Sequence, residues 1–163
     1  MKKEKITLDR ITLVGITART NNKNEMNPET AKIGPLVGTY WGKQIANQLK
    51  ERVKPGITYS VYTEYESDEH GDYTYFIGEE VKPLDNQDLS HLKSLVIPAN
   101  AYQRFTTEPG KMPEVVINAW QSIWKMTNED FGGKRKYLAD FEIYDKRAQE
   151  PNNAIVDIYI GIE

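Results

Sequence analysis

Apolar positions along the chain change period several times, and each change marks an element. Across residues 6–19 they alternate with polar ones, as in Ile11-Thr12-Leu13-Val14-Gly15-Ile16-Thr17-Ala18, which is the period of a half-buried strand. After a polar loop over 21–27, Ile33, Val37, Tyr40, Trp41, Ile45, Leu49 and Val53 recur at helical spacing. Asn27-Pro28-Glu29 supplies an N-cap, a proline for the first turn and an acid for the positive end of the helix dipole. Pro35 predicts a kink near the start of that helix, and Lys54-Pro55-Gly56 its end. Alternation returns over 59–66 and 73–81, two strands of a hairpin around the polar turn 67–72. Residues 82–91, with Pro83 and Asp85-Asn86, read as a linker.

The second half repeats the first. A strand over 95–105 becomes irregular after Pro98, and Glu108-Pro109-Gly110 makes a turn. Pro113 opens a helix with Val116, Trp120, Ile123 and Trp124 on one face, which Gly132-Gly133 closes. Strands follow over 136–145 and 154–163, separated by the polar turn 149–153. Residues 73–80 align with 156–163, and 59–67 with 137–145, which sets Glu64 over Glu142. The expected fold is α+β: one domain over 1–163 made of two βαββ units, about 5–82 and 91–163. A pseudo-two-fold axis relates the units, the sheets are antiparallel, and a groove suited to a small ligand lies between them. In the second hairpin Phe141, Ile143, Val156, Ile158, Ile160 and Ile162 are expected beneath the helices. The opposite face would then hold Glu142, Tyr144, Asp157 and Tyr159, with Glu64, Glu66 and Phe76 from the first unit.

Glu142 stands out in the strand over 136–145. Glu is a poor strand former and a poor core residue, so a mid-strand carboxylate beside Tyr144 either faces water or lines a cavity. Composition narrows the classes of partner. The 163 residues carry a net charge of -3 and no cysteine. That balance gives no footprint for nucleic acid, and thiolate chemistry, disulfides and Cys-based zinc are excluded. The charged N-terminus is not a signal peptide, no stretch approaches a membrane span, and a cytoplasmic setting is expected. His70 and His91 sit in polar stretches and suggest no metal site, and no cofactor motif is present.

Several segments together resemble the GyrI-like effector-binding domain, found in AraC-type and MerR-type multidrug regulators, as free-standing proteins and in integron cassettes. They are Ile97-Pro98-Ala99 with Tyr102 and Phe105, then Trp120-Gln121-Ser122-Ile123-Trp124, Phe141-Glu142-Ile143-Tyr144, and the closing Asp157-Ile158-Tyr159-Ile160-Gly161-Ile162. The resemblance covers nearly the whole chain. It implies a pocket between the repeats in which a Glu, here Glu142, holds lipophilic cations among aromatic rings. The wall residues it suggests are Tyr144, Tyr159, Trp41, Tyr102, Phe105 and Trp120. Because the first strand begins almost at the N-terminus, no DNA-binding helices are expected before it. Output would pass through a protein partner or through sequestration of ligand, and exposed edge strands would permit a homodimer. The resemblance also admits two other activities: hydrolysis of cyclopropane-bearing genotoxins, with Glu142 and Tyr159 or Tyr102 acting on water, and protein binding as a gyrase modulator.

Overall fold

Glycine, proline and turn residues cut the alternating segments more finely than their hydrophobic pattern does. The computed structural model describes residues 1–83 and 90–163; Asp85 and Asn86 of the expected linker lie outside them. The segment expected as one strand over 6–19 is two, β1 (Lys2–Leu8) and β2 (Ile11–Thr20), broken at Asp9-Arg10. Its counterpart over 95–105 is likewise two, β5 (Lys93–Ile97) and β6 (Asn100–Thr106), broken at Pro98, which has no N–H to give a ladder. The hairpins are β3 (Thr58–Thr63) with β4 (Tyr73–Glu80), and β7 (Ala139–Tyr144) with β8 (Asp157–Ile162).

The first expected helix is shorter and starts later. Asn27-Pro28-Glu29 forms a turn, with the Thr30 and Ala31 amides donating to the Asn27 carbonyl. A short helix precedes it, α1 (Asn22–Glu25), whose first turn is capped by the Asn21 side chain. The main helix is α2 (Ile33–Gly42), and Pro35 lies in its first turn, where its missing N–H costs nothing. Gln44 in left-handed backbone (φ 50°) ends the helical run, and Ile45–Gln48 continues as a 3₁₀ turn. In the second half Pro113 opens α3 (Glu114–Ile123), and α4 (Asn128–Phe131) closes on Gly132 at φ 71°.

All eight strands form one antiparallel sheet in the order β1-β6-β8-β7-β3-β4-β2-β5. Exchanging each strand with its counterpart in the other half reverses this order onto itself. The two-fold axis therefore passes between β3 and β7, the central pair. Each leading strand crosses over, β1 pairing with β6 and β5 with β2. The topology also dictates shape. Six strand spacings separate β1 from β2, about 29 Å in a flat sheet. The Asp9-Arg10 link spans at most about 11 Å, so the sheet must curl until its ends approach. Inside the curl lies a core of Leu13, Tyr59, Val61, Phe76, Ile97, Tyr102, Phe141 and Tyr159, to which both edge strands add side chains. The helices cover the other face. α2 packs on Val14, Tyr75 and Ile77, and α3 on Phe105, Ile158, Ile160 and Ile162.

The β2–β4 ladder requires two glycines. Gly15 and Gly78 face each other, and a Cβ at either would meet a backbone oxygen, 1.9 Å from the Ile77 carbonyl and 2.2 Å from the Val14 carbonyl. Gly38 in α2 has nothing within 4 Å of its would-be Cβ. Gly78→Ala is therefore expected to destabilise the fold by about 3 kcal/mol, whereas Gly38→Ala should stabilise it by about 1 kcal/mol. Denaturant unfolding of both variants checks the pair, and equal midpoints would contradict the close approach.

Candidate functional site

The central strands present their polar residues to the helix side. Alternation puts Thr58, Ser60 and Tyr62 of β3 and Glu142 and Tyr144 of β7 on that face, with Ser60 directly opposite Glu142. Over them runs a cleft of about 850 Å³. Its walls are Ile33, Val37 and Trp41 from α2, Val116 and Ile117 from α3, and Pro113 just before α3. Tyr62 and Trp120 bound a second cavity of about 380 Å³, which Tyr65, Tyr73, Trp124 and Arg135 also line.

Glu142 is 2% exposed and meets only neutral donors. Its Oε2 accepts from the Tyr62 hydroxyl at 2.8 Å and the Trp120 indole N–H at 2.7 Å. Its Oε1 accepts from the Tyr144 hydroxyl. Burial raises the Glu142 carboxyl above its ordinary range, and the three donors pull it back in part. The same burial, with Glu142 alongside, pushes the Tyr62 and Tyr144 hydroxyls well up, so both remain donors. Tyr62 is edge-on to Trp120 (5.1 Å) and to Tyr75 (5.4 Å), so the rings hold one another as well as the carboxylate. A fully buried ion without a charge partner is costly. What the arrangement does chemically is keep a negative charge, or a proton, in a dry aromatic surround.

Two positions along the same strand, Asp140 shows the alternative. It is 0% exposed, and Arg135 pairs with it at 2.8 Å. The Tyr65 hydroxyl and the Gly161 amide complete its shell at 2.6 and 2.8 Å. Among the described residues no group of three or more His, Cys, Asp and Glu is placed to hold a metal ion.

Of the residues expected at the site, Glu142, Tyr144 and Trp120 come together, and Trp41 stands at the cleft mouth, 57% exposed. Tyr159 and Tyr102 do not join them. The β7–β8 ladder pairs Phe141 with Tyr159 and Glu142 with Ile158, one residue away from the expected partition of faces. Tyr159 therefore stacks on Phe141 (4.7 Å) inside the curl, and Tyr102 packs edge-on to both. Phe105 is on the helix side but sits under α3 against Phe131, away from the cleft. Phe76, expected on the Glu142 face, also lies inside the curl.

Tyr62 was missed by sequence reasoning. Gly78 pairs with Tyr59, and Gly161 approaches the Ala139 carbonyl, so matching the two glycines makes Tyr59 the counterpart of Ala139. Counting on three residues, Tyr62 is the counterpart of Glu142. Glu64, aligned with Glu142 by sequence, lies beyond the end of β3, exposed and at φ 51°. The Ile-Gly motif shared by Phe76-Ile77-Gly78 and Tyr159-Ile160-Gly161 was the signal that could have fixed this register.

Comparison with known proteins agrees with this architecture. A family model described as integron-associated effector binding protein matches residues 6–162. YobU of Bacillus subtilis (strain 168), described as a putative transcriptional regulator protein, is 30% identical over 156 residues, covering 96% of this chain and 94% of its own. An integron cassette protein from the mobile metagenome of Vibrio cholerae has a crystal structure that matches with TM-score 0.76 at 29% identity, over 99% of this chain and 95% of that one. The structure of SAV2435 bound to tetraphenylphosphonium shares the fold, with TM-score 0.71 over 100% of this chain and 94% of its own, at 18% identity. With this sheet order and a family match over nearly its whole length, the chain belongs to the integron-associated effector-binding proteins, a GyrI-like family.

Proposed function

We propose that this protein binds lipophilic aromatic cations in the cleft between α2 and α3, with Glu142 supplying the charge. The observation that carries the reading is a wholly buried carboxylate whose hydrogen-bond partners are all neutral. Attraction between a cation and this carboxylate is strengthened by the low local dielectric. Tyr62, Tyr144 and Trp120 supply ring faces and edges around it, and each well-placed ring adds about 0.5–2 kcal/mol of cation–π attraction. Trp41, Val37 and Val116 form an apolar wall that demands shape but few hydrogen bonds, which favours breadth of specificity. The cleft volume suits a drug-sized molecule. SAV2435, which shares the fold, was solved with tetraphenylphosphonium, an ion of this class.

Glu142→Gln is a clean test because the network survives it. The amide oxygen replaces Oε2 and accepts from Tyr62 and Trp120, while the amide NH₂ replaces Oε1 and donates to Tyr144, whose hydroxyl turns to accept. Titrating tetraphenylphosphonium and rhodamine 6G by quenching of Trp41, Trp120 and Trp124 should show the variant binding about tenfold more weakly or worse, about 1.4 kcal/mol. Neutral analogues of similar shape should not distinguish the two proteins. Equal cation binding by wild type and variant would remove Glu142 from the function.

The pH dependence has a definite sign. Burial raises the Glu142 carboxyl above 4.5, so in the free protein the proton leaves later than from an ordinary carboxyl. A cation favours the ionised form and expels that proton. Affinity for tetraphenylphosphonium, whose own charge never titrates, should be full above the raised pKa and fall as pH is lowered through it. Glu142→Gln should bind equally weakly across that range. A wild-type curve as flat as the variant's would contradict the electrostatic role.

A further inference from the structure

The floor of the cleft holds a second carboxylate. Glu79 on β4 is 2% exposed and lines the same cleft as Glu142. In the ladder, Tyr59 pairs with Gly78 and Thr58 with Tyr144, so Glu79 lies two strands across and one side-chain repeat along from Glu142. Standard strand spacing and rise put the two Cα atoms roughly 12 Å apart. The two glutamates thus mark different ends of one cleft.

The oxygens of Glu79 are not treated alike. Oε2 receives an Arg52 guanidinium N–H and the Gly56 amide, both at a long 3.4 Å. Oε1 is buried and has no partner. The Tyr40 hydroxyl is also buried and unpartnered, and Glu79 is close enough to help push its pKa up. A buried acceptor left unpaired is a costly feature. Arg52 already offsets much of the charge, and neither it nor the Tyr40 hydroxyl reaches Oε1, so what Oε1 lacks is a donor within hydrogen-bond distance more than a net positive charge. The terminal torsion of a Glu side chain is broad, so the orphaned lone pairs can turn toward a donor arriving in the cleft. Trp41, Ala46 and Asn47 line the same cleft.

We infer that Glu79 forms a second subsite, which takes the N–H-bearing end of an elongated ligand whose cationic aromatic body sits at Glu142. The inference rests on the ligand-binding reading above and narrows it. The ligand class is an aromatic cation carrying a second amidine or primary ammonium group about 12 Å from the first, to match the strand spacing. A quaternary group at that end, which has no N–H, would gain nothing.

The test uses two fluorescent probes, the diamidine 4′,6-diamidino-2-phenylindole and its monoamidine analogue 6-amidino-2-phenylindole. Wild type should bind the diamidine about tenfold more tightly than the monoamidine. In Glu79→Gln, Arg52 and the Gly56 amide hold the new carbonyl at the Oε2 position, so an NH₂ replaces Oε1 and opposes a ligand donor. The preference for the diamidine, read as the ratio of the two affinities in the same variant, should then disappear. Glu142→Gln should weaken both probes. Arg52→Ala, which removes the guanidinium and leaves Oε2 only the Gly56 amide, should enlarge the preference, and it keeps the test decisive if the Glu79 variant folds poorly. Monoamidine binding that depends on Glu142, with no preference for the diamidine or a preference that survives Glu79→Gln, would overturn the subsite and leave the cleft's function standing. No binding of either probe to wild type would overturn both.

Discussion

A carboxylate held in the dry by neutral groups alone is the constraint around which this molecule is arranged. Glu142 cannot be buried without hydrogen bonds, and three long side chains are needed to supply them. Those chains come from three places: Tyr62 from the neighbouring strand, Trp120 from α3 and Tyr144 from two residues along β7. None can move far without exposing an unpaired charge to an apolar surround. The site therefore fixes the distance between the sheet and α3.

Duplication explains how such a site is assembled. The central strands β3 and β7 meet about the pseudo-two-fold axis, and the matching glycines place Tyr62 and Glu142 at equivalent positions on them. One copy offers the acceptor and the other the donor, so a hydrogen bond joins two counterparts across the axis. The halves diverge beside it as well. Where the second half has α3 with Trp120 against the sheet, the first has a glycine-bearing α2 with Trp41 turned outward. A symmetric cleft would have two identical ends; this one has Glu142 near one and the Arg52–Glu79 pair near the other.

The duplicated α+β plan and the unusual setting of Glu142 were legible because both rest on local signals: alternation, helical spacing, and a carboxylate where a strand should be apolar. Strand register was not. Tyr144 is tied to Glu142 by alternation within one strand and was placed correctly on its face. Tyr159 depends on how β8 slides along β7, and a one-residue difference turned it to the other side of the sheet. Tyr102 follows it, because β6 pairs with β8. Tyr62 was hidden for the same reason, its strand having been aligned through tyrosines instead of through the glycines that the close packing of β2 on β4 requires. The break at Pro98 was visible, but the crossing of β1 and β5 to the opposite halves depends on the closure of the whole sheet.

The comparison of Asp140 with Glu142 argues that the missing counter-charge is a property of the site and not of the strand. Both are acids on the same face of β7, and both are fully enclosed. At Asp140 the chain provides Arg135, itself buried and lying 4.3 Å over the Tyr137 ring, so the charge is settled within the protein. At Glu142, two residues on, the groups within hydrogen-bond reach are two phenols and an indole. The fold thus neutralises one buried acid with a cation and gives the other only neutral donors. An apolar cleft wide enough for an aromatic guest opens over the second. A structural ion pair would serve stability equally well at either position. The difference is physically sensible if the cation for Glu142 is to come from outside.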